Sequence, residues 1–462
     1  MTTVLGSDAR HEAGVDRLLD SYRAIPAGER VRLAKRTSNL FRARTASTSP
    51  GLDTSGLTGV VGVDVEARTA DVQGMCTYED LVDATLAHGL TPLVVPQLRT
   101  ITLGGAVTGL GIESASWRNG LPHESVLEMD VLTGTGEVVT TDATTRHPDL
   151  FRAFPNSYGT LGYATRLRIE LEPVGGTVSL RHVRFHDVEA LVEAIGDVVA
   201  SGSYAGEPVD YVDGVVFSAA ESYLVLGRRT DEPGPTSDYT GQRIFYRSIQ
   251  HDGSAPRRDV LSTHDYLWRW DTDWFWCSRA FGAQHPGVRR VWPRRWLRSS
   301  VYWRLVALDR RFQVADRLEA RHGRPPRERV VQDVELPLAT TAAFLRWFLR
   351  EVPIEPIWLC PLRLRSDEPW PLYPLRPGET YVNVGFWSTV PTEAGAAPGA
   401  TNRRIEHDVS ALGGHKSLYS ESFYDREEFD RLYGGPAYAG LKRRWDPGGR
   451  FPGLHDKAVR GA

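Results

Sequence analysis

Hydrophobic residues in the N-terminal third of the chain follow two different periods. Over residues 11–35 they recur at helical spacing, with Val15, Leu18 and Tyr22 on one side, which predicts an opening helix. Over residues 59–73 apolar and polar residues alternate around a break, which predicts a β-hairpin. Both kinds of element occur close together, so the pattern indicates a mixed α and β fold.

A helix and four strands are predicted after the hairpin. Thr77 and Asp80 form a variant of the capping box at the start of a helix that Gly89 closes. The apolar run TPLVVP then predicts a strand. Residues 126–141 predict a strand-turn-strand unit, and residues 161–173 predict another strand.

The segment TITLGGAVTGLGIES (100–114) holds four glycines within eight residues. We interpret it as a loop whose unhindered backbone allows close approach of a ligand, or else as a set of tight turns. Gly109, Gly111 and Ser114 nearly match the dinucleotide fingerprint, but PQLRTIT is a poor buried strand and Gly120 would interrupt the helix that should follow. A Rossmann unit is therefore not predicted.

Composition and charge narrow the class of protein. The 462 residues are 41% hydrophobic and 24% charged, which is typical of a globular chain with a sizeable core and room for two or three domains. The net charge of −3 provides no general attraction for a polyanion, so nucleic acid is not expected as a partner.

Cysteine usage and hydropathy bear on the compartment. Cys76, Cys277 and Cys360 are far apart and form no C-x-x-C pair, so we expect neither a disulfide framework nor a metal site. There is no apolar run of about 18 residues and no signal-peptide pattern at the N-terminus. We expect a cytoplasmic protein, either soluble or bound at the surface of the inner face of the membrane.

Aromatic and basic residues are concentrated in the middle of the chain. Residues 268–303 contain seven of the 13 tryptophans, interleaved with seven arginines. This composition suits contact with a lipid-water interface. It equally suits an aromatic core with a basic rim, or the wall of an apolar substrate pocket.

Residues 92–141 and 149–173 resemble the FAD-binding core of the vanillyl-alcohol-oxidase, or PCMH-type, flavoprotein superfamily, and within it the Δ24-sterol reductase branch. The T-x-G-G-x-x-x-G-x-G-I-E-S loop of that branch is matched by Thr102, Gly104, Gly105, Gly109, Gly111, Ile112, Glu113 and Ser114. The likeness continues in VVQDVELP (330–337), PIWLCPLRL (356–364), LYSESFYDREEF (418–429) and FPGLHDKAV (451–459).

The resemblance implies an α+β fold with three parts. Residues 1–175 would form a two-subdomain PCMH-type FAD-binding domain. Residues 176–432 would form an α+β substrate-binding domain with an antiparallel sheet, and residues 433–462 a tail that packs back near the FAD domain.

The resemblance also implies the residues that hold FAD. They are Thr102, Leu103, Gly104, Gly105, Gly109, Gly111, Ile112, Glu113 and Ser114 along the pyrophosphate, together with Gly159, Thr160, Gly162 and Thr165. Upstream, LAKRTSNLFRAR stands where many members carry a histidine that can bind flavin covalently, so non-covalent FAD is expected. Arg36, Ser38, Asn39 and Arg42 are candidate contacts there, with an ordinary polar turn as the alternative.

In the sterol-reductase branch, reduced FAD saturates an isolated C=C bond, with NADPH as the electron source. Such an alkene needs a positioned acid, a pocket that tolerates a transient tertiary cation, and a hydride from the flavin. Candidates for the acid are Tyr419 and Glu421 first, then Glu113, His415 and Tyr424. Each could equally be structural.

The skew to 51 arginines against four lysines suggests a high-GC genome such as an actinobacterium's, and bacteria of this kind seldom make sterols. The favoured substrate is therefore a 10-methylene fatty acyl chain of a membrane phospholipid, which similar actinobacterial flavoproteins reduce to the 10-methyl form in tuberculostearic acid synthesis. A lipid methyltransferase would be a functional companion. A Δ24-sterol reductase, an FAD-dependent alcohol oxidase, and a flavin- or lipid-binding protein without turnover are the alternatives.

Overall fold

The computed structural model of the chain describes residues 5–35, 41–42, 51–253, 255–312, 327–392 and 395–461. Its architecture is two antiparallel sheets with helices packed around them, and this confirms the α+β class. The helices are α1 (Leu5–Ala24), α2 (Tyr78–Leu86), α3 (Leu103–Gly109), α4 (Ser116–Asn119), α5 (Pro148–Ala153), α6 (Val188–Ser201), α7 (Phe245–Ile249), α8 (Thr263–Leu267), α9 (Pro286–Val291), α10 (Ser299–Phe312), α11 (Leu338–Glu351), α12 (Ala400–Ala411), α13 (Arg426–Leu432), α14 (Gly435–Trp445) and α15 (Leu454–Ala458). Within the described residues, short 3₁₀ turns cover Pro122–Ser125, Cys277–Phe281 and Arg294–Trp296.

The first sheet is built from N-terminal strands. A small parallel pair, β1 (Arg32–Leu33) and β2 (Gly51–Leu52), precedes it. Its strands are β3 (Val60–Asp64), β4 (Thr69–Gln73), β5 (Leu90–Pro92), β6 (Val126–Leu132), β7 (Val138–Asp142) and β8 (Tyr163–Pro173). The order is β3-β4-β8-β6-β7, with β5 paired to the far end of β8. The inward residues of β8 are apolar or threonine because a period of two buries one face.

The second sheet has eight strands among the described residues, in the order β14-β9-β13-β12-β16-β17-β15-β18. Its strands, with the small hairpin β10–β11 beside it, are β9 (Thr177–Phe185), β10 (Ser203–Tyr204), β11 (Glu207–Pro208), β12 (Tyr211–Ser218), β13 (Glu221–Thr230), β14 (Arg257–Ser262), β15 (Arg327–Pro337), β16 (Ile357–Leu362), β17 (Tyr381–Pro391) and β18 (His415–Lys416). Apolar residues of α6, α11 and α12 pack together with one face of this sheet, as expected for amphipathic helices.

Most of the N-terminal elements were predicted correctly. The hairpin is β3–β4, the strand-turn-strand unit is β6–β7, and Thr77 caps α2 through the backbone amide of Asp80. The opening helix ends at Ala24, however, and TPLVVP contributes only its first two residues to β5, since Pro92 and Pro96 restrict further pairing.

The prediction that the glycine-rich segment is a loop was wrong for residues 103–109, which form α3. Thr102 caps this helix by accepting from the Gly105 amide at 3.3 Å. A Cβ on Gly104 would lie 2.6 Å from the carbonyl oxygen of Gly74, so glycine here allows the helix to approach the first sheet. Tertiary packing has therefore overridden the low helix propensity of glycine.

Residues 268–303, which we call the aromatic segment, divide into a buried part and an exposed part. Trp268, Trp270, Trp274 and Trp276 lie in the hydrophobic core. The Trp270 ring stacks on Phe275, with centroids 5.0 Å apart. The core interpretation therefore holds for these four tryptophans, which leaves residues 288–296 as the exposed part.

The two sheets and the C-terminal segment are tied together by polar contacts. The Arg269 guanidinium pairs with Glu113 at 2.8 Å and with Asp213 of β12 at 2.7 Å. Near the C-terminus, the Lys442 ammonium donates to the carbonyl oxygens of Thr160 at 2.6 Å and Phe451 at 3.0 Å. In the described part of the chain no helix has the length and hydropathy needed to cross a membrane.

The division of the aromatic segment predicts different effects of two tryptophan substitutions. Trp270→Ala should lower the free energy of unfolding by about 3–5 kcal/mol, because it leaves a cavity in the core. Trp296→Ala should change it by less than about 0.5 kcal/mol, because this side chain is half exposed. Urea unfolding followed by circular dichroism measures both, and equal effects would contradict the division.

Candidate cofactor site

A cavity of about 1240 Å³ lies between the two sheets and is the candidate functional site. Its walls come from residues 30–35 and 53–58, the glycine-rich segment, the β7–β8 connection, and strands β15, β16 and β17 of the second sheet. Pockets for drug-sized ligands are typically about 300–1,000 Å³. This cavity is large enough for a dinucleotide cofactor.

Helix α3 forms one wall with its start fixed against the first sheet. The amides of Leu103 and Gly104 donate to the carbonyl oxygens of Cys76 and Gly74, each at 2.9 Å. Gly105 is exposed towards the cavity, and beside it the Lys35 ammonium lies 3.3 Å from the Thr102 hydroxyl. The open surface of α3 is thus the side that carries Gly105.

The segment that follows α3 holds a strained backbone conformation. Leu110 has φ +60°, and Tyr158, which also lines the cavity, has φ +51°. The Tyr158 amide donates to Thr108 at 3.0 Å, and its hydroxyl donates to Gly109 at 2.8 Å. Such strain persists only where neighbours fix it, and it is concentrated at functional sites.

The charge of the cavity wall fits a diphosphate. The basic side chains that line it are Arg30, Arg32, Lys35, Arg42 and Lys457. The acidic side chains among its described residues are Asp53 and Asp333. Five cations against two acidic side chains favour an anionic group in the cavity.

The end of the cavity formed by the second sheet carries a carboxyl and a phenol in contact. Asn383 donates to Asp333 Oδ1 at 3.1 Å, and Trp387 Nε1 donates to the Tyr419 hydroxyl at 2.9 Å. The Tyr419 hydroxyl in turn donates to the Asp333 carboxyl. Burial raises the pKa of Asp333 and, together with the negative charge of Asp333, raises that of Tyr419 well above its usual value.

A second buried acid lies behind this end. The Ser417 hydroxyl, which lines the cavity, donates to Glu335 at 2.6 Å. Burial raises the pKa of Glu335 well above its usual value. Burial also lowers the pKa of His415 to about 3, so this imidazole is neutral near pH 7 and cannot donate as an imidazolium.

Some of the residues predicted from the sequence line the cavity and others do not. Those in the wall are Thr102, Gly104, Gly105, Gly109, Gly111, Ile112, Gly159, Arg42 and Tyr419. Those that are not among the lining residues are Leu103, Glu113, Ser114, Thr160, Gly162, Thr165, His415, Glu421 and Tyr424. Arg36, Ser38 and Asn39 lie outside the described residues.

The residues away from the cavity have other partners. Glu113 pairs with Arg269, and Ser114 Oγ lies 2.8 Å from the Tyr266 hydroxyl. Tyr424 packs in a small aromatic cluster with Phe429 and Tyr433. The backbone amide of Glu421 donates to the carbonyl oxygen of Phe41 at 3.1 Å.

Sequence reasoning missed Asp333, the acid that the cavity contains next to Tyr419. The run VVQDVELP places Asp333 and Glu335 on one face of β15, and Val334 and Leu336 on the other. On sequence alone such alternation indicates a solvated face. In the structure Asp333 lines the cavity. The signal in the sequence was the presence of two carboxylates within the mostly apolar run from Val330 to Pro337.

Known proteins with similar sequences agree with a flavin site. Residues 21–142 match the family model described as an FAD binding domain. The chain is 26% identical to the Delta(24)-sterol reductase of Homo sapiens over 88% of this chain and 77% of that protein, and 26% identical to that of Arabidopsis thaliana over 87% and 75%. Over 34% of this chain and 28% of the relative, it is 36% identical to cytokinin dehydrogenase 2 of Oryza sativa subsp. japonica.

The cavity fits FAD by its volume, its cationic wall and the open face at Gly105. The chain therefore contains an FAD-binding domain of the PCMH type, which the family match places over residues 21–142. Over most of its length it is homologous to the Delta(24)-sterol reductases.

The open face at Gly105 predicts how flavin binding can be blocked. A Cβ there would meet only the Thr102 hydroxyl, at 2.8 Å, so Gly105→Leu should send its side chain into the cavity and reduce the flavin content of the purified protein by at least tenfold. Gly62→Ala is a matched control, since a Cβ there meets nothing within 4 Å. Visible absorbance relative to protein concentration measures both variants, and full flavin content in G105L would contradict this position for the cofactor.

Proposed function

We propose that this FAD-dependent oxidoreductase reduces an unactivated C=C bond of a lipid. The observation that carries the proposal is the Asp333–Tyr419 pair at one end of the cavity, among aromatic side chains. An isolated alkene has no carbonyl to accept charge, so its reduction needs both a proton donor and surroundings that tolerate positive charge.

Asp333 is the better donor of the pair. A phenol whose pKa is raised well above its usual value is a weak acid, whereas a carboxyl with a raised pKa keeps its proton closer to neutral pH. Tyr419 then acts as a positioning residue that donates to Asp333 and is itself held by Trp387.

The aromatic side chains at this end of the cavity supply the surroundings that tolerate positive charge. Phe41 and Trp387 lie with ring centroids 5.0 Å apart, and Phe41 meets Tyr419 edge-on at 5.9 Å. Trp358 also lines the cavity. The faces of such rings stabilise a nearby cation, here the tertiary carbon left after protonation.

Bound FAD would supply the hydride, and NADPH is proposed as the source of its electrons. We propose that FAD lies against the side of α3 that carries Gly105, and that Lys35, Arg42 and Lys457 surround its diphosphate. The strained segment from Gly109 to Gly111, pinned by Tyr158, would hold its shape while the substrate enters.

The favoured substrate is a 10-methylene fatty acyl chain of a membrane phospholipid. Protonation of an exocyclic methylene gives a tertiary cation, so the same acid and aromatic walls would serve this substrate or a Δ24-sterol. The names of the relatives favour the sterol as the second candidate. A methylene-bearing acyl chain must come from an enzyme that transfers one carbon to an unsaturated lipid, so a lipid methyltransferase would act before this protein.

Anaerobic stopped-flow absorbance tests the reaction and the substrate. NADPH should bleach the visible flavin band, and a 10-methylene-stearoyl phospholipid should restore it with a 10-methyl product in mass spectra. Recovery with a Δ24-sterol alone would establish the second candidate. Failure of NADPH to bleach the band, together with peroxide formation from an alcohol in air, would instead identify an oxidase.

The pH dependence of lipid reduction tests Asp333. Because its pKa is raised, the protonated donor is present at low pH, and its population falls as the pH rises through that pKa, so turnover should fall on the alkaline side. Asp333→Asn should lower turnover by about 10²–10⁴-fold and remove this limb of the profile. Glu421→Gln should leave both the turnover and the alkaline limb of the profile unchanged. If Glu421→Gln lowers turnover and removes the limb while Asp333→Asn does neither, Glu421 is the donor.

A further inference from the structure

Exposed hydrophobic side chains are concentrated in one short part of the aromatic segment. Among the residues that the structure describes, six large hydrophobic side chains are exposed, and three of them fall within nine residues: Val288 (37%), Val291 (80%) and Trp296 (47%). These three residues and the exposed arginines between them, Arg290, Arg294 and Arg295, form what we call the basic-aromatic patch.

The patch is held in place from beneath. Arg289, the buried residue of α9, pairs with Asp273 at 2.6 Å and donates to the Tyr239 carbonyl oxygen at 2.9 Å. Trp292 packs on Tyr302, with ring centroids 6.3 Å apart. The intervening side chains therefore point outwards from a fixed support, and their exposure does not follow from a lack of local packing.

The charge around the patch has a single sign in the sequence. Residues 286–308 contain six arginines and neither aspartate nor glutamate. Arg294 meets one exposed carboxylate from outside this stretch, Asp238, at 3.0 Å, and exposed pairs of this kind are weak. Arginines interspersed with valine and tryptophan match the surface of a bilayer, where cations meet phosphates and indole rings lie at headgroup level.

The other end of the same segment packs against the cavity. Trp274 and Phe275 lie 5.7 Å and 4.7 Å, between ring centroids, from Phe41 and Trp387 respectively, and both of these partners line the cavity. The segment thus connects an exposed basic and apolar surface with the aromatic end of the proposed active site.

We propose that the basic-aromatic patch docks the protein reversibly on the surface of a bilayer that contains anionic phospholipids. Val291 and Trp296 enter the headgroup region, and Arg290, Arg294 and Arg295 contact lipid phosphates. Nucleic acid and a second copy of the chain are the competing occupants. Nucleic acid does not account for the exposed valine and tryptophan, and a symmetric contact between two copies would bring the arginines of both patches close together. Docking does not depend on which lipid is reduced.

Vesicle co-sedimentation of the flavin-loaded protein tests the proposal. Vesicles of phosphatidylglycerol and phosphatidylcholine should bind the protein at low salt, and vesicles of phosphatidylcholine alone should bind it much less. The triple variant R290Q/R294Q/R295Q should bind roughly 100-fold more weakly, about fivefold for each arginine near the surface. Val291→Asp should also release the protein, because it places a carboxylate among the lipids.

Matched controls separate docking from general charge and from folding. Arg10, Arg228 and Arg443 are exposed arginines elsewhere, and R10Q/R228Q/R443Q should keep its affinity for the vesicles. Retained flavin absorbance in every variant shows that the fold and cofactor site are intact. This binding is measured without turnover, so failure of the proposed reaction does not affect it.

Two results would overturn the proposal. One is the absence of vesicle binding at low salt, or binding that the patch variants leave unchanged. The other is concentration-dependent self-association without lipid in sedimentation velocity, abolished by V291D, which would make the patch an interface between two copies of the chain.

Discussion

The buried guanidinium of Arg269 is the interaction on which the arrangement of the two sheets depends. It pairs with Glu113 from the glycine-rich segment and with Asp213 from the second sheet, and none of the three side chains is more than slightly exposed. The Tyr266 ring lies 4.0 Å from the guanidinium carbon. A buried charge without its partners is strongly destabilising, so these contacts hold only in one relative placement of the two sheets. That placement determines the width of the cavity.

Local sequence patterns predicted the elements that are stabilised locally, such as the β3–β4 hairpin and helix α2 with its Thr77 cap. They could not predict residues whose environment is set by distant parts of the chain. Glu113 stands in a recognised motif, yet its partner Arg269 lies 156 residues away in sequence. Asp333 has the alternation of a solvated strand and becomes a cavity residue only because β17 and the segment after β18 enclose it.

The glycines of the glycine-rich segment (100–114) have a different role from the one that composition suggested. A loop rich in glycine would offer many free amides to a phosphate, but Leu103 and Gly104 donate theirs to the first sheet. Gly104 lets α3 approach the sheet, and Gly105 leaves the cavity side clear. We therefore expect a diphosphate to be bound mainly by the cationic side chains around the cavity. One of them, Lys35, contacts the cap residue Thr102.

Burial and exposure within the aromatic segment follow from what each side chain packs against. Trp274 and Phe275 are buried because they pack against Phe41 and Trp387, which line the aromatic end of the cavity. The arginines that accompany them must then be paired inside, as Arg269 and Arg289 are, or face solvent, as Arg290 and Arg295 do. The same composition thus produces a core at one end and a charged apolar surface at the other. Contacts with residues that are distant in the sequence decide where the buried core ends and the exposed surface begins.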